Sequence, residues 1–240
     1  MIVKNSLLGL DKCIYQNDEW FKFSLDSVLL SKFVTVGLRC KNVMDLACGN
    51  APIPIFLSCR TKAKIYGVEY QKCVYDLGVK SIDENKLGDR IELVNDDVRN
   101  LKKKFDSEFF DVVVCNPPYF KYNSNKMVND NKVKAMARHE ISLKLDNVLD
   151  IASYLLKNCG IFAMVHRTQR FVEIIDSFRK YGIEPKRVQF IYPKKNKDSD
   201  LFLIEGIKNG KSGIKLLSPL VIHDDNGEYT DEVQNFLNFD

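Results

Sequence analysis

The sequence predicts an α/β fold built on a mostly parallel sheet of seven strands, with an antiparallel last strand. Two observations carry this: short apolar runs alternate with helical segments along the chain, and no composition break divides its 240 residues. Val43 to Ala47 reads as the first strand and Ile53 to Cys59 as the helix after it. Lys64 to Glu69 is the second strand, followed by a helix from about Gln71 to Lys86. Ile91 to Val94 is the third strand and Phe110 to Cys115 the fourth. Leu145, Val148, Leu149, Ala152, Leu155 and Leu156 recur at three- and four-residue steps, which predicts a helix over Leu143 to Leu156. Asn158 and Gly160 stop it before a fifth strand, Ile161 to Val165, and a helix spans Thr168 to Lys180. The connector Pro193 to Asp200 is too short for a crossover helix, so Lys186 to Ile191 and Leu201 to Ile207 pair antiparallel. Residues 1–40 read as an N-terminal helical appendage of the same domain, with a helix from about Ser27 to Val36 capped by Ser24 or Asp26. Residues 41–240 form the main body, and the stretch after Gly206 has little pattern.

Composition excludes several classes. With 45% apolar and 28% charged residues, the chain is of the globular kind. No run approaches the roughly 20 apolar residues that span a bilayer, and the first residues lack a signal-peptide pattern, so a cytoplasmic protein is expected. The seven cysteines are scattered and form no CxxC pair, which favours reduced thiols over a metal or disulfide framework. A net charge of +4 permits a polyanionic partner without demanding one.

The strand ends carry the chemistry. In an open parallel sheet, ligands bind beyond the carboxyl ends of the strands. Asp45-Leu46-Ala47-Cys48-Gly49-Asn50-Ala51 marks the first such end, Glu69 the second and Asp97 the third. Gly49 allows positive φ or a close backbone approach. Glu69 is placed to accept from two ribose hydroxyls, and Asp97 to read an adenine amino group. Gly-x-Gly-x-x-Gly is absent, which disfavours a pyrophosphate-bearing dinucleotide. S-adenosylmethionine has one adenosine and an amino-acid tail, and Asp45 with the nearby backbone can serve that tail.

Asn116-Pro117-Pro118-Tyr119 follows the fourth strand directly. The Asn116 side-chain carbonyl and the Pro117 backbone carbonyl can both accept from an exocyclic NH2, favouring positive charge on nitrogen as a methyl arrives. Tyr119 can stack on the ring, and the two prolines stiffen the turn. Basic residues surround this end of the sheet. Lys121 opens a loop rich in lysine and asparagine, Arg138 and His139 follow it, and His166 and Arg167 end the fifth strand. Such residues hold RNA phosphates without reading sequence. Lys194, Lys195 and Lys197 lie in the last connector. No histidine has a spaced partner that makes a metal site.

With these motifs the chain resembles the Rossmann-like class I methyltransferases that modify amino groups, whose motif is Asn-Pro-Pro-Tyr or Asp-Pro-Pro-Tyr. It more closely resembles the bacterial tRNA1(Val) adenine-37 N6-methyltransferase family. Further segments shared with that family are Phe21 to Asp26, Asp45 to Pro54, Asn116 to Phe120, Ala137 to Glu140, Val165 to Arg167, Pro185 to Arg187 and His223-Asp224. The resemblance implies cofactor roles for Asp45, Gly49, Glu69, Asp97 and Asn116, and target-base roles for Asn116, Pro117 and Tyr119. It also implies a tRNA anticodon stem-loop as partner. Ala47 and Ala51 depart from the pattern, standing where many class I enzymes have glycine. A protein glutamine, a DNA adenine, and a noncatalytic RNA-binding role are the alternatives.

Overall fold

Apolar runs flanked by helices on both sides become strands covered on both faces, and the sheet follows from that. The computed structural model describes residues 1–7, 10–18, 25–117 and 143–237. β1 (Ile2–Ser6) and β2 (Cys13–Asn17) form an antiparallel hairpin ahead of α1 (Leu25–Phe33). The main body then runs β3 (Asn42–Leu46), α2 (Pro52–Arg60), β4 (Lys64–Glu69), α3 (Lys72–Glu84), β5 (Ile91–Asn95) and β6 (Phe110–Cys115). It continues with α4 (Leu145–Leu155), β7 (Leu156–Arg167), α5 (Phe171–Lys180), β8 (Ile183–Lys194) and β9 (Leu201–Lys208). β10 (Lys215–Leu216), β11 (Leu220–His223) and α6 (Asp231–Leu237) complete it.

The sheet has nine strands rather than the expected seven, in the order β10-β8-β9-β7-β6-β3-β4-β5, with β11 also on β8. The seven expected strands are there, and β9 is antiparallel to both β7 and β8, between which it lies. The two additions pair in parallel with successive parts of β8, covering its outer edge. They are too short for alternation to be legible, and their role is to satisfy an edge.

Side chains alternate between two apolar layers. Val43, Ile65, Val112, Val114, Ala163, Val165 and Leu203 pack with α1 and α2 through Leu29, Phe33, Ile55 and Phe56. Met44, Leu46, Val68, Val113, Phe162 and Met164 pack with α4 and α5 through Val148, Leu149, Ile174 and Phe178. β7 starts immediately after α4, earlier than expected, because a register shift between Phe110 and Val112 absorbs the stretch containing Asn158 and Gly160.

The N-terminal segment is part hairpin, not purely helical as expected. The outer edge of β2 meets side chains instead of a strand: Asn85 Oδ1 accepts from the Cys13 N–H at 3.0 Å, and Ser81 Oγ accepts from the Tyr15 N–H at 2.9 Å. α1 begins at Leu25, so Asp26 sits inside the first turn, where its charge complements the helix dipole, and Ser24 lies outside the described residues. The far end of α1 is tied down. Arg60 donates to the carbonyls of Ser31 and Val34. Buried Glu205 accepts from the Thr35 N–H at 2.6 Å and from its hydroxyl at 3.0 Å, while Arg187 donates to Glu205 at 3.1 Å. Among the described residues, no helix is long and apolar enough to cross a membrane.

Truncating Glu205 removes the acceptor of the Thr35 N–H and the ion-pair partner of Arg187. Glu205→Ala is expected to destabilise the protein by about 3 kcal/mol in urea denaturation. A loss within error of zero would show that α1 is held without this cluster.

Candidate active site

Strand register assembles the site. In the parallel ladders Leu46 pairs with Val68 on one side and Cys115 on the other. Ala47 therefore leaves the sheet between Glu69 and Asn116. Glu69 in turn pairs with Asn95, two residues before Asp97.

The loop from β3 to α2 winds through alternate left-handed residues: Ala47 at φ 62°, Gly49 at φ 59° and Ala51 at φ 71°. Glycine takes this conformation freely, whereas each alanine costs roughly 1 kcal/mol. The two alanines thus do occupy glycine-type positions. Hydrogen bonds hold the winding. The Cys48 N–H donates to the Val68 carbonyl at 2.8 Å, Gly49 N–H to Glu69 Oε2 at 3.0 Å, and Ala51 N–H to the Cys48 carbonyl at 3.0 Å. Asn50 Nδ2 donates to the Tyr15 carbonyl at 2.8 Å, tying the loop to the N-terminal hairpin. Gly67 in β4 makes room beneath: a Cβ there would stand 2.8 Å from Cys48 Sγ and 2.7 Å from Leu93 Cδ2.

The acids differ in what they have left to offer. Asp45 is 0% exposed, and neither of its oxygens has a hydrogen-bond partner among the described residues. Burial, then the neighbouring Glu69 charge, pushes its pKa well above the ordinary carboxylate range. A buried, unpartnered carboxyl is what an incoming ammonium would satisfy. Glu69, 7% exposed, accepts from Gly49 and, through Oε1, from the Gln71 N–H at 2.7 Å. Burial raises its pKa, while those N–H groups and that of Tyr70 oppose the rise. Asp97 departs from the expectation of an open acceptor. Its Oδ1 accepts from Arg99 N and Nε at 2.9 and 2.8 Å, and its Oδ2 pairs with the Arg99 guanidinium, lowering its pKa.

On the other side of Ala47, Asn116 Nδ2 donates to Ser27 Oγ of α1 at 3.1 Å, which turns the amide carbonyl away from α1. Pro117 is buried behind it. Tyr119, Lys121, Arg138 and His139 lie outside the described residues. The arrangement is a buried acid and a ribose-type acceptor beside an amide turn, suited to placing a nucleoside cofactor against a second planar group.

Comparison with known proteins agrees with this geometry. Residues 43–139 match a family model described as a methyltransferase domain. A tRNA1(Val) (adenine(37)-N6)-methyltransferase of Bacteroides fragilis is 26% identical over 94% of this chain and 92% of its own. The protein of that name from Cytophaga hutchinsonii is 24% identical, covering 77% of this chain and 76% of its own. The crystal structure of a predicted O-methyltransferase from Agrobacterium tumefaciens superposes with a TM-score of 0.72 at 20% identity, covering 89% of this chain and 96% of that one. The fold is that of the class I methyltransferases, and residues 43–139 carry the methyltransferase domain. The resemblance read from the motifs is borne out by these relatives, and the cofactor of this methyltransferase is S-adenosyl-L-methionine. The chemistry of Asp45 and Glu69 suits it: one carboxyl lacks a donor, which an ammonium would supply, and the other is a buried acceptor that hydroxyls could use.

At the flank of the methyltransferase site, His166 is 1% exposed, and its Nδ1 accepts from the Arg167 N–H at 2.8 Å. Burial and nearby Arg170 lower its pKa to about 3, so it is neutral and offers no surface to a phosphate, contrary to expectation. Arg170 is engaged by Glu173 at 2.7 and 3.0 Å. Arg167 remains the strand-end cation partly open to solvent. Sequence reasoning missed Ser27, Gly67, Asn50 and Arg99. Only Gly67 carried a signal, as a glycine inside a strand pattern.

Because Asp45 has a raised pKa when folded, it binds its proton more tightly than the unfolded chain does. Its contribution to stability is complete below the unfolded pKa of about 3.9 and is lost as pH rises through the folded value. Asn stays neutral, so the stability advantage of Asp45→Asn over wild type should widen as pH rises from 4 to 8 in denaturant titrations, while calorimetry shows weakened cofactor binding. An advantage independent of pH would show that this carboxyl does not titrate as described.

Proposed function

We propose that this methyltransferase transfers the methyl group of S-adenosylmethionine to the exocyclic N6 of adenine 37 in a tRNA anticodon loop. One observation carries the reading: the register of β3 with β6 brings the amide-Pro turn out beside the cofactor loop, with the Asn116 nitrogen turned to α1 and its carbonyl turned away. Adenine N6 is a poor nucleophile because its lone pair is delocalised into the ring. Asn116 Oδ1 and the Pro117 carbonyl would accept from its two N–H groups, favouring pyramidal nitrogen and stabilising positive charge on it. Bound S-adenosylmethionine supplies an electrophilic sulfonium methyl. Nitrogen donates its pair to that carbon as the carbon–sulfur pair returns to sulfur, and the N6 proton is lost to water afterwards. No general base is required before transfer. Holding donor and acceptor in line supplies the entropic part of the rate.

The RNA assignment draws support from two sources. The relatives similar over most of the chain are named as tRNA adenine methyltransferases. β7 also extends past Met164, which pairs with Cys115, to place Arg167 beyond the same end of the sheet as Asn116. The Thr168 N–H donates to the Asp200 carbonyl at 3.1 Å, which draws the connector bearing exposed Lys194, Lys195 and Lys197 to that side. A cationic flank there would hold phosphates while the loop base enters the site. An anticodon-loop base is already partly exposed, so extruding it costs less than in a duplex.

Methylation of total bacterial tRNA with a tritiated donor, followed by nucleoside mass spectrometry and mapping, should give N6-methyladenosine at position 37. Label in glutamine of the protein fraction, or in DNA, would overturn the substrate. Asn116→Ala should lose turnover by about 100-fold or more, with a far smaller loss of cofactor affinity by calorimetry; retained turnover would remove Asn116 from the chemistry. Arg167→Gln should weaken tRNA binding and reduce its logarithmic salt slope by about one in filter binding. An unchanged slope would mean that Arg167 meets no phosphate.

A further inference from the structure

The amide of Asn116 has two chemically opposite edges, and only the carbonyl edge can accept from an amine. Pro117 biases the Asn116 backbone toward extended geometry but leaves the terminal torsion of the side chain broad. A rotation of half a turn would aim the NH2 edge at the N–H groups of the substrate, donor against donor. Some other group must choose the edge.

We infer that Ser27 is a positioning residue for Asn116, its hydroxyl oxygen accepting from the amide nitrogen and so directing the carbonyl toward the substrate amine. The inference rests on the role of Asn116 proposed above. Its own support is geometric: Nδ2 stands 3.1 Å from Ser27 Oγ, and Ser27 is 4% exposed, so water does not compete freely for the contact. Ser27 also sits on a fixed post. Its carbonyl accepts from the Ser31 hydroxyl at 2.6 Å within α1. Arg60 and the Thr35–Glu205–Arg187 cluster hold the opposite end of that helix against α2, β8 and β9. A side chain on a helix anchored at its far end sets direction better than one on a loop. A hydroxyl can also reverse its role and donate, so the same residue would serve an aspartate at position 116.

The test is a double-mutant cycle read by single-turnover methyl transfer, with cofactor affinity measured by calorimetry. Ser27→Ala should slow transfer by about ten- to a hundred-fold while leaving cofactor Kd and the KM for tRNA within about twofold. In the Asn116→Ala background the same change should cost nothing further, because the amide it directs is gone. Equal losses in both backgrounds would overturn the inference, since the hydroxyl would then act through the fold. If Asn116→Ala itself kept full rate, the reading of the site would fail first. If Asn116→Ala is slow and Ser27→Ala is not, the positioning role alone is wrong. Should Ser27→Ala unfold, the near-isosteric Ser27→Cys takes its place: slower transfer at wild-type thermal stability supports the role, and unchanged transfer removes it.

Discussion

The parallel pairing of β3 with β4 and β6 is the constraint on which the site depends. It aligns three strand ends within one plane, so that Ala47, Glu69 and Asn116 emerge as neighbours although they are far apart in sequence. Neighbouring strands stand about 4.8 Å apart, which fixes the spacing between cofactor loop and amide turn before any side chain is placed. Register here is strongly specified. A one-residue slip of β3 would exchange its two faces, setting Met44 among the residues of α1 and α2 and Val43 among those of α4 and α5, where the partners differ in shape. The apolar layers, built for packing, are therefore also what holds the chemistry in place.

The least favourable features of the chain gather at that same junction. Ala47 and Ala51 adopt left-handed backbone, and Asp45 lies buried with no donor. Each feature opposes folding by an amount comparable to one good hydrogen bond or more. Elsewhere the chain does the opposite: Glu205, also buried, has its oxygens met by Thr35 and Arg187. Of the buried acids of the sheet, Glu205 is satisfied within the fold, whereas Asp45 is left without a donor. A group left waiting for a donor can bind an ammonium with little competition from the protein, and the hydrogen bonds of the loop hold its strained winding, the Gly49 N–H to Glu69 among them.

Much of this was legible in the residues. The alternation of apolar runs and helices gave the parallel body and the antiparallel pair, and acids at successive strand ends gave the direction in which the ligand would lie. Ala47 and Ala51 were recognisable as occupants of glycine positions, though only the backbone angles show that they keep the glycine conformation. The rest depends on contacts that no local pattern encodes. Cys13 to Asn17 became a strand against side chains of α3, which period alone does not predict. His166 looked like a surface residue at a strand end, but it is buried beside Arg170. Ser27 read as part of an N-terminal helix turn, and nothing in spacing links it to a residue on the fourth expected strand.

The three strand-end acids also differ in the way they can serve one cofactor. Asp45 has its full acceptor capacity, yet burial keeps the carboxyl inclined to hold its proton until a cation arrives. Glu69 is held by backbone N–H groups of Gly49 and of the Tyr70–Gln71 turn, which fixes its orientation. Asp97 has spent itself on Arg99 and on capping the turn that begins at Val98. To read an amino group it must release the guanidinium, and Arg99 lies largely in solvent, where such a pair is screened and readily exchanged. Asp45 is thus a carboxyl with nothing to give up, and Asp97 one that must trade partners before it can meet a ligand.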